Sequence, residues 1–227
     1  MRPRDPRRLL ASRRRAKARV QIVEVPQPPD EPDGSVASKQ AAEVILPRSE
    51  LERLWTPEYL ERLARTYWRF LERVSLGLLR VRYTEDARLI TLIAKPFVLL
   101  RFQKPQYELN GDSGTVTWRI ARGLLVAPAG RGRGYLRISV LKSGDDRVWI
   151  SSEVASFYPA IAGSGWFARI GRPIYRFTQL RIHVIVTHAF LRSLALLDLV
   201  PSRVGALAAS PGSPRSLPAA SRDRVER

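Results

Sequence analysis

Residues 171–200 read GRPIYRFTQLRIHVIVTHAFLRSLALLDLV, a long and largely apolar stretch with Pro173 placed where a helix accepts proline, in its first turn. Run as one helix from Pro173 to Leu199, it spans roughly 40 Å at 1.5 Å per residue. At about 100° per residue, Tyr175, Ile182, Ile185, Val186, Ala189 and Ser193 fall on one side, which the pattern predicts as the core face. Arg172, Arg176, Gln179, His183 and Thr187 form a polar stripe, and Arg181, His188 and Arg192 form a second one about 160° away. A surface helix needs only one such stripe. The second is either an exposed margin whose arginines reach water, or a flank turned toward a pocket, where buried cations need partners.

Upstream of this segment the period changes from helical to alternating. Thr56-Pro57 marks a helix start, and Leu60, Leu63, Ala64, Tyr67, Phe70, Leu71 and Val74 recur at three- and four-residue spacing until Gly77 stops the helix. A shorter helix over Ser49–Trp55 and a brief strand over Glu43–Leu46 precede it. Beyond Leu78, Leu79-Val81-Tyr83 and Leu89-Thr91-Ile93 flank a turn and predict a hairpin. Apolar or alternating runs follow at Phe97–Phe102, Tyr107–Leu109, Val116–Ile120, Leu136–Val140 and Arg147–Tyr158, with glycine-bearing turns between several of them. The fold class is therefore α+β: a curved antiparallel sheet of six or seven strands gripping a long C-terminal helix, with one or two helices near the start.

Residues 41–200 form the predicted domain. Residues 1–40 read as a disordered, basic, proline-rich arm, and residues 201–227 as a disordered tail rich in Ala, Ser, Pro and Arg. The formal net charge is +18; ten Lys/Arg stand against five Asp/Glu in the arm and five against two in the tail, so the body keeps +10. Such a balance favours anionic partners, nucleic acid or an acidic membrane reached through the arm, and is equally the solubility charge of an arginine-rich protein. The chain has no cysteine, which removes disulfides, thiolate metal sites and thiol catalysis. No run of roughly 18 uninterrupted apolar residues occurs, and the Arg13-Arg14-Arg15 cluster precedes no long apolar region. The chain reads as an unexported, cytoplasmic protein able to lie peripherally on a membrane.

Chemistry is sparse. His183 and His188, the only histidines, stand about 140° apart on a helix and cannot share a metal ion, so neither a metal nor another cofactor is implied. His188 alone is a candidate general base. Glu153, an acid in an apolar strand with Trp149 and Ser151 on its face, is the other catalytic candidate. Gly130-Arg131-Gly132-Arg133-Gly134 lacks the features of a nucleotide loop and reads as a flexible basic hairpin, with Arg131 and Arg133 as candidate anion contacts. Trp118 and Trp149 are placed either in the core or around a pocket.

The order helix, helix, antiparallel strands and long closing helix over Ala41–Val200 resembles the helix-grip superfamily of START and Bet v 1 domains, which includes polyketide cyclase/dehydrase-like proteins. Its members normally open with a full strand, which is weak here, and they share no catalytic motif that transfers to this chain. The resemblance implies a hydrophobic small molecule or lipid held between sheet and helix, with Trp118, Trp149, Glu153, Tyr175, Arg181, Ile182, His188, Ala189 and Arg192 as candidate contacts. Two alternatives stay open: a basic peripheral protein of nucleic acid or acidic membrane, and a cyclase- or hydrolase-type enzyme using His188 or Glu153.

Overall fold

The computed structural model describes residues 16–28, 35–56, 58–84, 86–92, 97–158 and 184–202. Nine strands occur among them: β1 Arg19–Val23, β2 Val36–Ile45, β3 Leu79–Tyr83, β4 Ala87–Leu92, β5 Val98–Gln103, β6 Gln106–Asn110, β7 Ser113–Arg122, β8 Tyr135–Lys142 and β9 Arg147–Phe157. They form one sheet in the order β1-β2-β9-β8-β7-β5-β4-β3, with β6 also paired to β7. All pairs are antiparallel. Three helices accompany the sheet: α1 Arg48–Leu54 and α2 Tyr59–Val74, and α3 over 184–193.

The strands from β3 onward fall within a few residues of the predicted runs. Nine strands occur instead of six or seven because the sheet starts earlier: β1 and the first half of β2 lie inside the segment expected to be a disordered arm. The opening strand, weak in sequence, is in fact ten residues long. It bonds β1 on one side and β9 on the other, so the boundary expected at residue 41 falls in the middle of a strand. The neighbours supply the burial that the small and polar residues of β2 do not announce.

One face of the sheet is the inner one. Ala42 and Val44 of β2, Val116, Trp118 and Ile120 of β7, Leu136, Ile138 and Val140 of β8, and Val148 and Ile150 of β9 are all buried there, at alternate positions as the pleat requires. α2 packs on this face: Trp68 meets Trp118 edge-on at 5.2 Å and lies 5.3 Å from the Phe102 ring. α3 lies beside α2, with Phe190 edge-on to Tyr67 at 5.1 Å and 5.7 Å from Phe70. Two strands, two helices, a run of antiparallel strands and a closing helix against the inner face is an order consistent with the helix-grip fold.

The closing helix differs from its projection. Thr187, Phe190 and Leu191 are fully buried and Leu194 nearly so, whereas Ile185 is 66% exposed. The core face is therefore the 187-190-191-194 line, a regular three-and-four spacing, and Thr187 belongs to it instead of to a polar stripe. The α-helix ends at 193; a 3-10 turn at Leu194–Leu196 and left-handed Leu197 stop the rod short of Leu199. Its end is tied down by the Lys17 and Ala18 amides, which donate to the Ala195 carbonyl, and by the Val200 amide, which donates to Thr66 Oγ1 at 3.0 Å. The predicted part of the helix before residue 184, with Arg172, Tyr175, Arg176, Gln179, Arg181, Ile182 and His183, lies outside the described residues.

Candidate ligand-binding site

Between α2 and the inner face of the sheet the side chains leave a cavity of about 290 Å³. Tyr67, Trp68 and Leu71 form its α2 wall; Leu100 and Phe102 of β5, Val154 and Phe157 of β9 and the start of β2 form much of the rest. The aliphatic residues Leu79, Ile90, Leu99 and Leu136 complete its lining together with these rings. The large rings stack in line at its edge: Phe102 and Trp118 both rest on Trp68. Close packing elsewhere makes a gap of this size a feature to be explained. A second, smaller apolar gap of about 70 Å³ lies among Leu51, Leu54, Tyr59 and Leu194.

One end of the larger cavity borders a polar group. Ser38 of β2 lines it and sits opposite Val154 of β9. Gln40, two residues along and on the same face, donates from Nε2 to Ser38 Oγ at 3.5 Å, and its Oε1 lies 2.7 Å from His188 Nε2 on α3. Since the Gln40 amide oxygen can only accept, this geometry puts a proton on His188 Nε2. Burial, and then the charge of Arg192, hold the imidazole below its ordinary pKa, so the neutral ring is favoured. Ser152, fully buried on the adjacent strand, pairs in register with Gln40.

The residues singled out in sequence are dispersed. His188 is half-buried and bound to Gln40, and it is one residue removed from the cavity wall through Ser38. Ala189 is half-buried on the side of α3 away from the Phe190 line, and Arg192 is exposed. Trp118 is 1% exposed and backs Trp68 without itself forming the wall. Trp149 and Glu153 alternate with the inward Val148, Ile150 and Val154, so they stand on the outer face of the sheet. There Glu153 accepts a hydrogen bond from the Tyr135 hydroxyl at 2.7 Å, beside Arg137 and Lys39 in register. The sheet separates this carboxylate from the cavity, which removes the contact expected for it there. The Arg131–Arg133 loop, expected to be a flexible hairpin, packs instead: a 3-10 turn at Pro128–Gly130 seats Gly130 against the Tyr158 ring, and Arg133 stacks on that ring at 4.8 Å. Arg131 is exposed.

Sequence reasoning missed Ser38 and Gln40 because they fell in the supposed arm, and it read Tyr67 as one more member of an apolar stripe. The signal for Tyr67-Trp68 was their adjacency: two large rings side by side on a helix cannot point the same way, so one must face a neighbour other than the sheet centre.

No family model and no curated protein sequence matches the chain. The solved structures to which the chain is similar include norcoclaurine synthase of Thalictrum flavum and human STARD10. A point mutant of the synthase bound to a transition-state analogue is 15% identical, with a TM-score of 0.38, covering 77% of this chain and 98% of that one. The synthase with dopamine and hydroxybenzaldehyde is 14% identical, with a TM-score of 0.37, covering 74% and 90%. STARD10 is 10% identical, with a TM-score of 0.35, covering 87% and 81%. These are Bet v 1-like and START members of the helix-grip superfamily that the order of elements resembles.

Proposed function

We propose that the protein binds a small hydrophobic molecule in the cavity between α2 and the sheet. The observation that carries this reading is the void of about 290 Å³ with almost wholly apolar walls. Such concave apolar spaces are the usual form of small-molecule sites, and leaving one empty forgoes dispersion contacts that a filled interior would make. A co-purifying molecule, seen by native mass spectrometry and released by organic extraction, is expected. The variant Leu100→Trp fills the space, and it should abolish binding of decane, followed by tryptophan fluorescence, while thermal stability is kept or raised. Unchanged decane binding in that variant, or none by the wild-type protein, refutes the reading.

A second reading concerns the outer face. Arg80 and Arg82 of β3 and Arg101 of β5 alternate with the inward residues of their strands, and no carboxylate lies in β3, β4 or β5; Arg82 and Arg101 both stand opposite Leu89, facing away from the core. Adjacent like charges disfavour the sheet and suit an acidic membrane surface. Co-sedimentation with phosphatidylserine vesicles that weakens with salt and in Arg82→Glu/Arg101→Glu supports this; salt-independent or absent sedimentation counts against it.

A further inference from the structure

The walls of the cavity carry very few polar groups. Among its described lining side chains only Ser38, Tyr67 and Trp68 have one, and none of these is charged. The Trp68 indole nitrogen is sealed from the void, buried without a partner. Tyr67 is different. It is 5% exposed, lines the void, and its hydroxyl makes no hydrogen bond among the described residues; its rings' neighbours are Trp68 and Phe190. A buried phenol normally finds a partner. Burial pushes the Tyr67 hydroxyl up to about 12, so it remains a protonated donor at any physiological pH. The second accessible group, Ser38, already accepts from Gln40, which leaves its O–H as a donor too.

Resting on the cavity reading above, we infer that the ligand is an uncharged, elongated or compact apolar molecule with an oxygen acceptor, a ketone, ester or ether, which the Tyr67 hydroxyl meets and for which Ser38 is the other donor. A carboxylate, phosphate or ammonium group is disfavoured by the same described walls. Among the described residues no lysine, arginine, histidine or acid lines the space to balance it, and an unpaired charge in such surroundings is strongly disfavoured. The volume sets the size at roughly ten non-hydrogen atoms, taking ~30 Å³ of liquid volume for each, as for water.

The test is a set of fluorescence titrations of the full chain with three probes of like length: methyl octyl ketone, decane and decanoate. The ketone is expected to bind roughly three- to tenfold more tightly than decane, the worth of one neutral hydrogen bond, and decanoate at neutral pH much more weakly than either. In Tyr67→Phe, which keeps the ring and its packing, the ketone's advantage should shrink to near unity while decane binds as before. Ser38→Ala should take a smaller part of it. Equal affinity for ketone and decane in the wild-type protein, an advantage that survives in both variants, or a preference for decanoate overturns this inference and leaves the cavity reading standing. Failure of both neutral probes to bind overturns the cavity reading itself.

Discussion

At Leu76 the backbone is left-handed, with φ of 53°. Helix α2 ends there in a hydrogen-bonded cap: the Leu76 amide donates to the Arg73 carbonyl and the Gly77 amide to the Glu72 carbonyl, each at 2.9 Å. This is the pattern of a Schellman motif, in which glycine normally occupies the position Leu76 holds. Its side chain is 92% exposed, so nothing is lost from the core by removing it. Leu76→Gly should raise stability by roughly 0.5–1 kcal/mol, read from urea unfolding; a destabilised variant would mean the strain is absent. His188 offers a second test at this scale. Its folded-state pKa lies below the ordinary value of 6.5 because of burial and Arg192, so the unfolded chain takes up the proton first as pH falls. The stability it contributes is complete above about pH 6.5 and is lost as pH falls through the lower folded pKa. Thermal melts should therefore drop more between about pH 7 and pH 5.5 for the wild-type protein than for His188→Gln; parallel curves would contradict this.

Among the elements, α3 shows why a helical projection can choose the wrong side. Val184, Ile185, Val186 and Ala189 are as apolar as Phe190, Leu191 and Leu194, so periodicity alone does not select between the two faces. Tertiary packing does: Phe190 enters between Tyr67 and Phe70, and Ile185 is left outside. Phe190→Ala should cost about 3–5 kcal/mol by deleting a fully buried ring, whereas Ile185→Ala should change stability by no more than about 0.5 kcal/mol. Chemical denaturation of the pair decides which face is inward. The strands tell the complementary story. In β7 and β8 apolar and polar residues alternate cleanly, and both were legible. In β2 the inward residues are Ser38, Gln40, Ala42 and Val44, where alternation is blurred by small and polar side chains. β1 has Val20 and Ile22 in the right register but is hidden between arginines and prolines.

Over the whole molecule, the plan was readable because it depends on element order, which local periodicity encodes. The candidate site was not, because its walls come from α2 and seven strands widely separated in sequence and no short motif joins them. The His188 flank, open in sequence between water and a pocket, meets Gln40 of β2, which comes from the other end of the chain. The cavity also bears on how the protein responds to compression. Unfolding under hydrostatic pressure is driven by the elimination of internal voids, with volume changes of about −20 to −100 mL/mol for ordinary domains. A gap of about 290 Å³ makes the unliganded protein an early victim of pressure, and Leu100→Trp should move the unfolding midpoint upward, as should a saturating neutral ligand. Intrinsic fluorescence in a pressure cell reads both shifts, and midpoints that coincide would mean that the space is already filled with water. The same void that gives a guest its place thus makes the molecule's volume, as much as its surface, a record of whether that guest is present.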